Sequence, residues 1–157
     1  MEVQSGQLAP DFSLYDTERK KVTISELRGK NIVLLFFPFA FSSVCTKELC
    51  SVRDNIGDFA KLDAVVFGIS VDSHYTLAKY KQDQNLNFAL LSDFNKEVSA
   101  AYGSLYEQFG LNMRGVSKRS AFVIDKAGLV QYAEVLENPG ETPDFGKIQD
   151  TLASLAW

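Results

Sequence analysis

Apolar runs rich in β-branched and aromatic side chains occur at residues 32–37, 64–71, 88–91, 121–124 and 129–135. Each is too short for a buried helix and is bounded by polar or glycine-containing segments, so each predicts a strand. Residues 12–14 and 22–24 flank a polar turn at 16–21 and predict an N-terminal hairpin. Between the strands the apolar spacing becomes helical over residues 44–60, 75–84 and 96–102, and again over 145–156 near the C-terminus. Strand and helix therefore alternate until a final hairpin that turns through residues 125–128. This order predicts an α/β fold with a mostly parallel sheet, helices on both faces, and an antiparallel edge made by the last hairpin. In such sheets functional groups gather where the carboxyl end of a strand runs into the next helix. Here that junction is residues 37–45.

Length and composition narrow the picture. The 157 residues suit a single domain over 1–157, and no repeat or linker divides them. With 16 basic against 20 acidic residues, and no basic run longer than Arg19, Lys20 and Lys21, the chain lacks the cationic face that nucleic acid requires. The polar N-terminus has neither the positive flank nor the apolar stretch of a signal peptide, which leads us to expect a cytoplasmic location. No apolar run approaches the roughly 20 residues of a membrane helix, so no membrane partner is expected. One histidine and two cysteines fit no usual zinc spacing, and no metal or cofactor is expected. Two cysteines in a reducing compartment seldom form a structural bridge, which leaves chemistry or burial.

The segment FFPFAFSSVCTKELC leaves a strand, turns at Pro38 and enters a helix with Ser42 or Ser43 at its cap, so Cys45 falls in the first helical turn. Unpaired amides and the positive end of the helix dipole favour an anion there, and the thiolate is the nucleophile. Ionisation raises the reactive fraction of an ordinary thiol only by about tenfold, so a fast thiol enzyme also needs donors at the leaving atom. Ser42 offers a hydroxyl. Arg119, at the head of the strand over residues 120–124, offers a cation if that strand starts beside the junction. Taken singly, each has a plainer account: a small buried thiol, a helix cap, a solvated strand-end charge.

Together these residues match a known pattern. PFAFSSVC, residues 38–45, resembles the peroxiredoxin signature of a proline, three residues, threonine or serine, two residues and the peroxide-reacting cysteine. The resemblance continues through APDF at 9–12, ISVDS at 69–73, LLSD at 90–93 and RSAFVID at 119–125. LSDF at 91–94, YEQFG at 106–110 and the Pro139, Gly140, Glu141 triplet are similar to the alkyl hydroperoxide reductase E-type branch, which we favour. CTKELC at 45–50 resembles the bacterioferritin-comigratory (Q-type) branch. The resemblance implies a thioredoxin-like fold with an added N-terminal β-hairpin and a central mixed sheet flanked by helices. It implies that Cys45 is the peroxidatic thiol, that Ser42 hydrogen-bonds the peroxide, that Pro38 shields the sulfur and that Arg119 orients thiolate and peroxide. A peroxide substrate, a thioredoxin-like, glutaredoxin-like or low-molecular-weight thiol reductant, and a homodimer are implied with it. Serine at position 42 keeps the donor but lacks the methyl that would restrict its rotamer.

Cys50 is the candidate resolving thiol. Five residues apart on a helix, the two cysteines stand about 8.7 Å apart and some 140° out of phase, beyond the roughly 4.4 to 6.8 Å of a disulfide. A bond between them therefore requires the start of the helix to unravel; otherwise Cys50 packs passively and an external thiol resolves Cys45. Glu48 can hold Arg53 or Arg119 in place, or be a solvated carboxylate. His74 follows a strand beside Ser73, a helix cap, and is a weak candidate base. Phe37, Phe39 and Phe41 can form an apolar collar, with Phe37 the core residue among them. A thiol-disulfide oxidoreductase would want its cysteines two residues apart, and the four-residue gap disfavours it. A non-catalytic binding module has no use for Pro38, Ser42, Cys45 and Arg119 together.

Overall fold

The computed structural model describes residues 3–155, which form nine strands and five helices. The strands are β1 (Ser13–Asp16), β2 (Lys21–Thr23), β3 (Asn31–Phe36), β4 (Ala64–Ser70), β5 (Ala89–Ser92), β6 (Leu105–Tyr106), β7 (Val116–Ser117), β8 (Ser120–Ile124) and β9 (Val130–Val135). The helices are α1 (Ser43–Asp54), α2 (Ile56–Lys61), α3 (His74–Gln84), α4 (Glu97–Ala101) and α5 (Phe145–Ser154). Seven strands make one sheet in the order β2-β1-β5-β4-β3-β8-β9, while β6 and β7 pair separately.

β3 is buried at every position because both faces of the sheet are covered. Val33, Leu35 and Phe37 meet α1, α2, α3 and α5 through Leu49, Val52, Phe59, Leu77, Ile148 and Leu152. Ile32, Leu34 and Phe36 face the other way, toward Val98, Tyr102, Phe122 and Val130. Gly68 on β4 makes room for this packing: a Cβ there would stand 2.7 Å from Leu90 Cδ2 and 3.3 Å from the Phe37 ring.

The sheet is mixed, which corrects the mostly parallel arrangement that the alternation predicts. Only the β3–β4 and β4–β5 pairs are parallel; β1 runs antiparallel to β5, and β8 to both β3 and β9. The cause lies in α4. Its five residues span about 7.5 Å, too little to carry the chain back along a strand of about 20 Å. The chain therefore stays at the carboxyl end of β5, and β8 enters from that end. Ser120 then pairs with Phe36, which sets Arg119 beside the end of β3.

A second difference is the division of residues 44–60 into α1 and α2. The Asn55 side-chain amide donates to the Ser51 carbonyl at 2.8 Å, an alternative to the helical ladder, and the chain breaks there. The β6–β7 pair, two residues a side, is too short to show any period in the sequence.

Candidate active site

The junction after β3 is built by groups from three directions. Phe37 still donates its amide to Ile69 O at 2.9 Å, extending the sheet by one bond. Pro38 is buried, Phe39 lies edge-on to Phe109 at 6.0 Å, and Phe41 packs on Tyr80 at 5.0 Å between ring centroids. Phe41 has φ of 71°, a left-handed conformation costly for an aromatic residue, and the segment 38–42 holds it there. Asp72 is the main clamp. Its Oδ2 accepts from the Ala40 amide at 2.8 Å and from Ser70 Oγ at 2.7 Å, and burial raises its pKa against these bonds. The ISVDS segment thus braces the loop before α1.

Ser42 occupies the N-cap position, yet its side chain caps nothing. Its hydroxyl donates to Phe39 O at 2.9 Å, so the oxygen is left as an acceptor toward incoming groups. The first amides of α1 thus have no side-chain partner. Thr46 donates to Ser42 O at 2.8 Å and receives the Tyr80 hydroxyl at 2.9 Å, which ties the first turn of α1 to α3. Burial pushes the Tyr80 phenol up to about 12, against the Thr46 bond, so it is a neutral donor.

Cys45 is fully buried, and Arg119 Nη2 donates to its sulfur at 3.1 Å. The same guanidinium donates from Nη1 to Glu48 Oε1 at 2.6 Å and from Nε and Nη2 to Pro139 O at 3.2 and 3.0 Å. Burial works against the charge on Arg119, but Glu48 and Cys45 outweigh it and raise its pKa. Burial pushes Glu48 up to about 7 although Arg119 pulls the other way, and its Oε2 accepts no hydrogen bond. A cation held within reach of a sulfur at a helix N-terminus stabilises a thiolate and, later, an oxyanion.

The structure therefore brings Cys45, Arg119 and Glu48 to one place, at the end of the loop that carries Pro38, which is buried, and Ser42, which is exposed. Glu48 pairs with Arg119, whereas Arg53 pairs with Asp54 and donates to Gln84 O instead. Cys50 is half-buried on α1, its sulfur 3.5 Å from Gln84 Oε1. His74 stacks on Tyr75, with centroids 3.9 Å apart, and donates to no group of the site. Phe37 is core, leaving Phe39 and Phe41 as the collar's outer members. Two contributors escape the sequence reading, Asp72 and the Pro139 carbonyl. The ISVDS and Pro139, Gly140, Glu141 motifs mark both segments without revealing the contacts. Among the described residues no three His, Cys, Asp or Glu side chains gather to hold a metal, and no helix is long and apolar enough to cross a membrane.

Known proteins resemble this chain in sequence and fold. The sequence matches the AhpC/TSA family over residues 5–133. It is 39% identical over 153 residues to alkyl hydroperoxide reductase E of Mycobacterium tuberculosis, covering 96% of each chain. The crystal structure of peroxidoxin BcpB from Mycobacterium tuberculosis superposes with a TM-score of 0.86 at 30% identity, over 98% of this chain and 99% of that one. The reduced 2-Cys peroxiredoxin of Plasmodium vivax gives a TM-score of 0.83 at 27% identity, over 95% and 80% of the two chains. The fold is thioredoxin-like, and the chain belongs to the AhpC/TSA family, the peroxiredoxins, as a thiol-dependent peroxidase.

Proposed function

We propose that this protein reduces hydrogen peroxide and alkyl hydroperoxides through Cys45, which attacks the O–O bond and becomes a sulfenic acid. The observation that carries this reading is the Arg119 Nη2 contact to Cys45 Sγ at 3.1 Å, at the uncapped start of α1. Thiolate attack drives negative charge onto the departing oxygen, and a guanidinium fixed beside the sulfur stabilises that charge without reorganising. Glu48 and the Pro139 carbonyl position Arg119. Ser42 accepts from the peroxide O–H, since its own proton is committed to Phe39 O. Pro38 shields the sulfur from bulk water, and Phe39 and Phe41 give the rim an apolar character suited to alkyl groups. With Cys45 fully buried, entry of peroxide requires the segment 38–42 to move.

The sulfenic acid is resolved by Cys50 as an intramolecular disulfide, after the first turns of α1 open, and an external thioredoxin-like, glutaredoxin-like or small thiol reduces it. The chain acts as one domain over residues 1–157, in the cytoplasm, as a homodimer and without cofactor. Peroxide consumption with dithiothreitol, in wild type, Cys45→Ser and Cys50→Ser, tests the reading. Loss of turnover in Cys45→Ser is expected, and undiminished consumption there would overturn it. Mass spectrometry after one equivalent of peroxide tests the resolving step: loss of two hydrogens is expected, and persistent gain of one oxygen contradicts it.

A further inference from the structure

The cluster at the head of α1 holds one cation and two acids. Arg119, Glu48 and Cys45 are each at most 2% exposed, and Arg119 spans the other two through separate nitrogens. Among the described residues, Arg119 is the one cation acting on Glu48. Tyr80 from α3 and Tyr106 from β6 also face the cluster, both with raised pKa and hence neutral. If both acids were ionised, a buried site would carry a net negative charge, and Glu48 Oε2 would be a charged oxygen with no donor. Both conditions are costly away from water. One proton between the two acids removes them.

We propose that Cys45 and Glu48 share a single proton across Arg119, so that Glu48 holds it while Cys45 is a thiolate and surrenders it when Cys45 is oxidised. The oxidation half of this inference rests on Cys45 being the peroxide-reacting thiol. In the resting site the charges are thiolate, guanidinium and neutral carboxylic acid, which sum to zero. The sulfur gives a lone pair to one peroxide oxygen, an S–O bond forms, and the O–O bond breaks with its pair going to the departing oxygen. Cys45 is oxidised by two electrons to a neutral sulfenic acid, and the peroxide is reduced to water or alcohol once the departing oxygen gains a proton. Glu48 is then the only anion facing Arg119, so it ionises, and the proton it loses equals the one the departing oxygen takes. The buried site is neutral before and after.

Difference infrared spectroscopy on protein containing isotope-labelled glutamate reads this proton through the carbonyl stretch of a carboxylic acid. Reduced wild type at neutral pH is expected to show a protonated-carboxyl band that Glu48→Gln lacks. In Cys45→Ser, where the competing acid is gone, the proton affinity of Glu48 is expected to fall by about tenfold or more. Cys50→Ser oxidised with one equivalent of peroxide should behave likewise. An unchanged affinity in Cys45→Ser, or no such band in wild type, overturns the proposal. Peroxide consumption by the same wild-type sample reports separately on the peroxidase reading, because the Cys45→Ser comparison needs no turnover.

Discussion

At the residue scale the site depends on Arg119, a fully buried guanidinium whose neighbours give it a carboxylate, a sulfur and a carbonyl. Arg119→Met is expected to cost on the order of a hundredfold to a thousandfold in turnover, the range for losing one fixed donor to a developing oxyanion. It also strands Glu48, and urea unfolding well above pH 7, where that carboxyl is ionised, should show a loss of about 3 to 5 kcal/mol. Adding Glu48→Gln to Arg119→Met should recover part of the stability and none of the activity. Equal stability losses in the single and double variants would show that the stranded carboxylate is not the cause. Cys45 is legible from the sequence because strand end, proline and helix start frame it within a few residues. The Glu48 to Arg119 pairing is legible only as one of two alternatives, Arg53 or Arg119, since the partners lie 71 residues apart and the antiparallel entry of β8 joins them.

At the scale of elements, the proposed disulfide requires α1 to be held well enough to present Cys45 and loosely enough to release it to Cys50. The hold on its first turn is the Tyr80 to Thr46 to Ser42 chain of hydrogen bonds. Tyr80→Phe keeps the ring packing on Phe37 and Phe41 and removes one bond worth about 1 kcal/mol. Faster amide exchange at the start of α1 and faster disulfide formation are expected in that variant; unchanged rates would mean that opening is controlled elsewhere. On the other side of the junction, Asp72→Ala leaves the Ala40 amide without its acceptor, at a cost of about 1 to 3 kcal/mol seen as a lower melting temperature. The seven strands of the main sheet and most helices follow from the sequence pattern. The Asn55 break does not, because a side-chain bond to Ser51 O ends a pattern that the apolar positions continue.

For the whole molecule, Glu48 writes a pH dependence into stability. Its pKa in the folded state, about 7, lies above its ordinary value of 4.5, so the folded protein binds the extra proton between those limits. The associated stability is fully present below pH 4.5 and is lost as pH rises through about 7. Glu48→Gln should flatten that part of the curve relative to wild type, by on the order of 3 kcal/mol across the window. Parallel curves for the two proteins would contradict the placement of that proton. The sheet order is where sequence reasoning reaches furthest by resemblance and least by pattern, since the brevity of α4, not any periodicity, turns β8 around. That reversal also delivers Arg119 to Cys45, so fold and site have one cause. The most direct measurement is the site of oxidation: Cys50→Ser treated with one equivalent of hydrogen peroxide, trapped with a sulfenic-acid-specific diketone and mapped by tandem mass spectrometry. The adduct is predicted on Cys45, and peroxide consumed with Cys45 left unmodified would contradict the account.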